Sequence, residues 1–274
     1  MRALCYDHYG SPNELRVRDI AKPSPKDNDI LVRVHAASIN DWDWQLLQGS
    51  FINRLFNGWD RPTKRRVLGC DVAGVVEAVG KSVTAFCPGD EVFGDLCANG
   101  FGGFSEYVSA PATTFVLKSP AMSFEQAAAL PQAGTLALQG LVEVGGVRAG
   151  QNVLLNGAGG GAGVFALQLA KLHQARVTAV DKGEKLSALC ELGADTVVDY
   201  ETEDITQRPA RYDLILDVKT TRSPLDYVKV LKPGGTYVTM GGDLSRVFAM
   251  VLFGGLSSRR FRIVMLKPNR DLAC

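Results

Sequence analysis

Residues 152–181 limit the fold more than any other stretch: NVLLN, then GAGGGAG, then VFALQLAKL, then ARVTAVD. An apolar β run that passes through a glycine-rich turn into a helix, and from there into a second β run, predicts a βαβ unit with parallel strands. Ala158, Gly160 and Gly163 occupy the places of a G-x-G-x-x-G fingerprint, with Ala in the first place and Gly157 just before it. Glycine at such points lets the backbone turn tightly, lets a pyrophosphate approach, and lets the helix pack close on its strand. The helix N-terminus then offers free N–H donors and the positive end of its dipole. Many strand-to-helix connections need glycine, so the turn alone decides little. Asp181, 18 residues after Gly163 at the end of the next strand, supplies the acid that a dinucleotide site places on the ribose hydroxyls. Lys182 and Lys185 follow it and could instead hold a 2′-phosphate, so NAD and NADP both stay open.

The same alternation runs on. SFEQAAALPQAGTLALQGLVEV (123–144) opens with the capping-box pair Ser123 and Gln126 and carries helical spacing. EKLSALCELG reads as helix, TVVDY and YDLILDV as strands, SPLDYVKVLKPGG as helix and turn, and TYVTMG (236–241) as a strand. Strand and helix by turns predict a doubly wound parallel sheet. Before residue 122 the rhythm differs: DILVRVHAASI (29–39), DVAGVVEAVG (71–80) and GFSEYVSAP (103–111) are short β runs broken by Gly, Pro and Asp, which predict a small barrel or sandwich. The reading is an α/β protein with two domains, 1–122 and 123–274.

Thirty basic and 29 acidic residues leave a net charge of +1, no field to gather nucleic acid or an anionic membrane. The N-terminus MRALCYDHYG is not a signal sequence, and VFAMVLFGGL (247–256) is too short to span a bilayer. A cytoplasmic protein acting on small molecules is expected. Six cysteines and three histidines are scattered with no C-x-x-C pair, so free thiols in a reducing compartment are expected rather than disulfides or a metal cage.

At AASINDWDWQLLQG (36–49), VLGCDVAGVVEAVG (67–80), PGDEVFG (88–94), GGFSEYV (102–108), AAALPQAGTLALQGL (127–141), NGAGGGAG (156–163), LGADTVVDY (192–200) and KPGGTYVTMGG (232–242), the chain resembles the medium-chain dehydrogenase/reductase superfamily, in its zinc-independent quinone oxidoreductase-like branch. The resemblance implies a GroES-like β-barrel catalytic domain followed by a Rossmann domain. It also implies an NAD(P)H-dependent oxidoreductase that passes hydride to a quinone or a small α,β-unsaturated carbonyl in a cleft between the domains, and a homodimer built on the region of 247–266. Zinc-dependent relatives carry a Cys where this chain has Asn40, a His-Glu pair where it has Cys70-Asp71, and a further Cys that LPQAGTLALQ lacks. One thiol and one carboxylate fall short of a three-ligand open site, so no metal is expected.

By the same resemblance Asn40 is the polar group beside the nicotinamide and Asp43 its structural neighbour. Gly157, Gly160, Gly161, Ala162, Gly163 and Val164 form the phosphate turn. Asp181, Lys182, Lys185 and Tyr200 surround the adenosine ribose, and Asp217, Val218, Met240, Gly241 and Gly242 lie under the nicotinamide. The family favours NADPH, while the charge of Asp181 favours NADH. Leu136 stands where the family has a Thr, with Thr135 adjacent, and KTTR (219–222) replaces a glycine-containing turn. Enoyl reductases of the superfamily donate a proton from a Tyr where this chain has Phe51, so quinone or small enone reduction ranks above thioester reduction. Trp42, Trp44, Trp59 and Phe51 could stack on a flat substrate, although core packing is the more frequent use of such residues. A zinc-free alcohol dehydrogenase-like enzyme, an enoyl reductase and a non-catalytic dinucleotide-binding protein are the alternatives. The superfamily continues past a segment like LKPNRDLAC to complete the catalytic domain, so either the sequence is a truncation or that domain is incomplete.

Overall fold

The computed structural model describes the chain apart from residues 210, 242–257, 271 and 273–274, and the backbone alone of Ile52. Gly242 and most of the apolar stretch 247–266 therefore lie outside the described residues. The chain forms two compact units, Met1–Gln132 together with the residues from Lys267 onward, and Ala133–Leu266.

In the first unit, β1 (Arg2–Cys5) and β2 (Arg16–Asp19) make an antiparallel ribbon. β3 (Asp29–Ser38), β4 (Asp71–Val79), β5 (Glu91–Asp95), β6 (Tyr107–Pro111) and β7 (Phe115–Leu117) make a five-stranded antiparallel sheet in the order β6-β3-β4-β5-β7. Bridges Ala3–Ser105 and Cys5–Val67 tie the ribbon to the loops of this sheet. Ile30, Val32, Val72, Val76 and Val92 are buried on one face, as β-branched side chains in short strands should be. Between β3 and β4 lie two short helices, α1 (Asp41–Gln48) and α2 (Phe51–Asn57).

The capping box predicted at Ser123 is present: Ser123 Oγ accepts from Gln126 N at 3.2 Å, and Gln126 Oε1 accepts from Ser123 N at 2.9 Å. The helix that it starts, α3 (Phe124–Ala128), is shorter than the predicted run to 144. Pro131 disfavours helical backbone at Leu130 and lacks an N–H to continue the ladder, so α4 (Pro131–Leu138) begins anew and runs into a π-helical turn at Gln139–Val144. Ala127 and Ala128 pack with Ala73 and Phe93, which joins α3 to the first unit and carries it past the change of rhythm at 122. Leu272 packs on the same cluster, and Asn269 accepts from the backbone N of Asp95 at 2.7 Å.

The second unit is a six-stranded parallel sheet of β8 (Asn152–Asn156), β9 (Arg176–Asp181), β10 (Thr196–Asp199), β11 (Tyr212–Asp217), β12 (Leu231–Thr239) and β13 (Arg260–Ile263), in the order β10-β9-β8-β11-β12-β13. Counted from β8 this is 3-2-1-4-5-6, the doubly wound dinucleotide-binding order, with its direction of growth reversing between β8 and β11. β8 is central and covered on both faces: Val153 and Leu155 belong to one apolar layer and Leu154 to the other. That explains its unbroken apolar run, and burying each of these side chains stabilises the fold by about 1.5–3 kcal/mol. α5 (Gly161–Leu172) and α6 (Leu186–Glu191) cover the first layer through Ala166, Leu167, Ala170 and Leu189. The helix predicted in SPLDYVKV is a 3₁₀ stretch, Pro224–Lys229, whose Tyr227 fills the second layer.

Candidate functional site

The strand-to-helix turn after β8 is built as its glycines require. Gly157 has φ +82°, the left-handed region that glycine enters without penalty, and Gly157 N and Ala158 N both donate to Val180 O, at 2.9 and 3.1 Å. Gly163 has ordinary helical backbone, but a Cβ there would lie 2.2 Å from Gly157 O and 2.6 Å from Ala158 O, so the helix sits on the turn with no room for a side chain. At Gly160 and Gly161 the reverse holds. A Cβ would meet only Gly157 O at 3.5 Å and only Ala133 Cβ at 3.6 Å, respectively. The mouth of the turn is therefore open above a helix N-terminus whose first N–H groups have no intrahelical acceptor. An anionic pyrophosphate fits that cradle.

Asp181, 7% exposed, closes one side of the turn. Its Oδ2 accepts from Gly159 N at 2.7 Å, its Oδ1 accepts from Lys182 N at 2.9 Å, and Lys185 Nζ stands 3.3 Å away. Tyr200, half exposed, donates its backbone N–H to Asp181 O at 3.2 Å. The structure thus gathers Asp181, Lys182, Lys185 and Tyr200 at one corner and adds Gly159, which the fingerprint alone did not mark. The carboxylate braces the turn and is paired with a lysine, so much of its charge is already met.

The crevice between β8 and β11 holds a second group. Asp217, fully buried, accepts from Asn156 Nδ2 at 2.8 Å and Thr220 N at 2.9 Å on Oδ1, and from Tyr237 Oη at 2.6 Å on Oδ2. Burial first, and then the Asp217 charge, push the Tyr237 phenol far up, so it stays a donor. Val218 N donates to Asn156 O at 2.9 Å and Met240 N to Asp217 O at 3.2 Å, while Gly241 O accepts from Thr239 Oγ1 at 2.6 Å. Asn156, Thr220 and Tyr237 were not picked out from the sequence; Asn156, at the C-terminus of the fingerprint strand, was the one legible there. Where a glycine-containing turn was missing from KTTR, Thr220 takes φ +52° itself, held by its bond to Asp217. Thr135 Oγ1, adjacent to Leu136, is buried without a partner among the described residues.

In the first unit Asn40 precedes α1. Its Nδ2 lies 3.1 Å from Asp71 Oδ2, 3.2 Å from Ser38 Oγ and 3.3 Å from Cys70 Sγ, while its backbone N–H donates to Asp43 Oδ2 at 2.9 Å. Asp43 in turn accepts from Gly69 N at 2.8 Å and pins the loop that carries Cys70. Asp71 Oδ2 also accepts from Gln132 N at 3.1 Å and Ser38 Oγ at 3.3 Å. Cys70, Asp71 and Asp95 bring ligand-type atoms within 4.8 Å of one another, the one such group among the described residues. Asp95 is the third group that counting adjacent residues missed, because β5 pairs with β4 and sets Asp95 opposite Asp71. Each of the three already receives hydrogens: Cys70 from Asn40 and Gln132, Asp71 from Asn40, Ser38 and Gln132, and Asp95 from Cys97 N and Sγ. Burial pushes both carboxyls and the thiol of the group upward, and the neighbouring Cys97 thiol with them. Trp42 and Trp44 are two-fifths exposed, and Phe51 and Trp59 more so and in edge contact at 5.5 Å, so none of the four is a core residue.

The family model of the alcohol dehydrogenase GroES-like domain matches residues 26–121, and that of the zinc-binding dehydrogenase matches residues 161–266. An NADPH-dependent alkenal/one oxidoreductase, chloroplastic, of Arabidopsis thaliana is 35% identical over 254 residues, 89% of this chain and 64% of the relative. A quinone oxidoreductase of Homo sapiens is 30% identical over 251 residues, 88% of this chain and 73% of the relative. The structure of the quinone oxidoreductase from Coxiella burnetii superposes with a TM-score of 0.88 at 30% identity, covering 97% of this chain and 83% of that one. The chain spans 63 to 64% of the length of two curated plant relatives that it matches at 35% identity. With a GroES-like unit, a doubly wound unit and these matches across most of its length, the chain belongs to the medium-chain dehydrogenase/reductase superfamily, among its quinone oxidoreductase-like members.

Proposed function

We propose that the chain is an NAD(P)H-dependent oxidoreductase that reduces quinones or small α,β-unsaturated carbonyls without a metal. The observation that carries this reading is the open cradle at the start of α5, where Gly160 and Gly161 leave space and Gly163 admits nothing. Bound there, a reduced nicotinamide cofactor supplies the hydride. The α5 N-terminus holds the pyrophosphate, and Lys182 and Lys185 attract a 2′-phosphate that Asp181 repels only weakly, since Lys185 pairs with it. Asp217, Asn156 and Tyr237 fix the strand ends at the switch point, where a substrate ring is received in folds of this kind. Asn40 offers its amide to the carbonyl oxygen of the acceptor, where negative charge grows as hydride arrives. A flat, electron-poor acceptor needs no metal to polarise it, and the hydrogens that Gln132 and Ser38 aim at Cys70 and Asp71 fill directions a cation would use.

The test follows loss of reduced-nicotinamide absorbance against a panel of quinones, enones and simple aldehydes. Turnover with quinones or enones, unchanged by a chelator and faster with NADPH than with NADH, is expected. Turnover confined to aldehydes, or lost on chelation and restored by zinc, would sink the reading.

A homodimer and a cytoplasmic location belong to the same proposal. The dimer rests on the apolar sequence 247–266, and light scattering of the wild type and of Phe253→Glu tests it: a dimer that the substitution splits is expected, and a dimer indifferent to it contradicts the proposal. The location rests on free thiols such as those of Cys87 and Cys190, which are exposed. Among the described residues no helix is long and apolar enough to cross a membrane.

A further inference from the structure

The helix α2 is amphipathic in the reverse of the usual sense. A surface helix turns its apolar stripe toward the core and its polar side chains to water. In α2 the polar residues hold the protein. Asn57, 1% exposed, donates from Nδ2 to Tyr6 Oη at 3.1 Å, Asn53 Nδ2 donates to Gln45 O at 2.9 Å, and Arg54 Nε donates to Gly49 O at 2.8 Å with its guanidinium 4.7 Å over the Tyr9 ring. The apolar residues face out: Phe51, Leu55 and Phe56, with Trp59 just beyond the helix, are 62% to 68% exposed. Phe51 and Leu55 share a face at the i, i+4 spacing, and the Trp59 ring meets Phe51 edge-on at 5.5 Å, so the side chains form one patch. An exposed apolar patch of this kind marks a contact surface.

The chain after α2 sets cations beside the patch. Gly58, at φ +120°, turns it back, and Asn57 pins it: Oδ1 accepts from Arg65 N at 2.8 Å and Lys64 N at 3.3 Å, while its backbone O accepts from Thr63 N at 2.7 Å and Thr63 Oγ1 at 2.9 Å. Residues 51–66 carry Arg54, Arg61, Lys64, Arg65 and Arg66 against Asp60 alone. Arg66 pairs with Asp7, but among the described residues no carboxylate pairs with Arg61, Lys64 or Arg65. Arg61 and Arg66 also line an open cavity of about 500 Å³ with His8, Pro62, Thr63 and Asp7, whose carboxylate is taken up by Arg18 and Arg66. The net charge of +1 hides this local excess, and a Debye length of about 8 Å makes the local charge the one that a facing surface feels.

We infer that α2 and the loop as far as Arg66 dock the chain on the surface of a bilayer that carries anionic lipids. Phe51, Leu55, Phe56 and Trp59 enter the boundary between head groups and acyl chains, where aromatic rings are favoured, and the cations meet the lipid phosphates. A second copy of the chain suits this face less well. In a two-fold dimer the patch would meet itself and set one basic loop against another. A small flat acceptor would cover one ring and leave the rest of the patch, with its cations, in water.

The test is sedimentation of the full chain with vesicles of phosphatidylcholine alone and of phosphatidylcholine with phosphatidylglycerol in equal parts, beside tryptophan fluorescence with brominated lipids as quencher in the same mixtures. The wild type should sediment with the anionic vesicles and not with the neutral ones. It should lose most of that binding in about 1 M salt, where the Debye length falls to about 3 Å. Arg61→Ala combined with Lys64→Ala should weaken binding about twentyfold, since each cation near an anionic surface contributes about fivefold. Leu55→Gln combined with Phe56→Gln should weaken it at least about tenfold, through the apolar area lost from the boundary, and should melt close to the wild type because both side chains are exposed and Gln suits a helix. Bromolipid quenching of the wild type should largely disappear in Trp59→Phe, and this readout decides should a double variant fail to fold. A wild type that binds neither vesicle or both alike, double variants that bind as it does, or quenching unchanged in Trp59→Phe would overturn the proposal. So would a self-associated wild type, seen by light scattering without lipid, that the Leu55→Gln and Phe56→Gln pair splits, because the face would then belong to a second copy. No readout here uses the reaction, so failure would leave the proposed reductase activity standing.

Discussion

Gly163→Val should abolish coenzyme binding, and Gly163→Ala should come close to doing so. A Cβ at this position would stand 2.2 Å from Gly157 O and 2.6 Å from Ala158 O, both backbone atoms. Neither can retreat, because the turn is fastened to β9 by Gly157 N and Ala158 N on Val180 O and closed by Gly160 N on Gly157 O at 3.2 Å. The helix must slide instead, which costs about 1–3 kcal/mol of stability. A displacement of about 1 Å at the pyrophosphate costs on the order of a hundredfold in turnover. Gly160→Ala separates binding from folding: its Cβ would meet only Gly157 O at 3.5 Å, an ordinary contact, so the variant should melt like the wild type while its methyl group intrudes on the pyrophosphate. Titration calorimetry with NADPH and a thermal melt of each variant read these effects. Wild-type affinity in Gly163→Val would place the coenzyme elsewhere.

Removing the carboxylate of Asp217 should be the most damaging single truncation in the second unit. Three donors converge on it, Asn156 Nδ2, Thr220 N and Tyr237 Oη, and the site is fully buried, so Asp217→Ala leaves each donor without an acceptor and water cannot compensate. At about 1–3 kcal/mol for each unsatisfied group, with partial relaxation, we expect a loss of about 3–5 kcal/mol, a large share of the stability of an ordinary domain. The loss falls at the crevice between β8 and β11 and also releases Thr220 from its left-handed backbone. Tyr237→Phe, which removes one donor and leaves the carboxylate two, should cost about 1 kcal/mol. Urea denaturation checks the pair, and an Asp217→Ala variant within about 1 kcal/mol of the wild type would show that the network does not hold the crevice together.

Much of this was legible in the sequence because the second unit is governed by local rules. The order β8, α5, β9 follows from an apolar run, a glycine turn and a helical stripe, and Asp181 falls at a fixed place because a parallel neighbour strand of known length puts it there. The cap at Ser123 was equally local. What remained hidden depends on pairing across the sheets. Asp95 meets Asp71 only because β5 lies antiparallel to β4 in the register Asp71–Asp95, and 23 residues of chain lie between the two. Tyr237 reaches Asp217 through the β11–β12 pairing, and no spacing in the sequence announces it. The break of the long predicted helix at Pro131 was visible as a residue but outweighed by the alanine-rich stripe around it.

Hydride transfer itself tests the account most directly. The chain is mixed with NADPH carrying deuterium at the reactive face of the nicotinamide C4 and with a small enone, in the presence of a chelator, and the product is examined by mass spectrometry and proton NMR. The account predicts a saturated ketone with one deuterium at the β-carbon, formed by the wild type and not by Gly163→Val. NADPH that binds at the α5 turn while no deuterium reaches any acceptor in the panel would contradict it and leave a dinucleotide-binding protein without this chemistry.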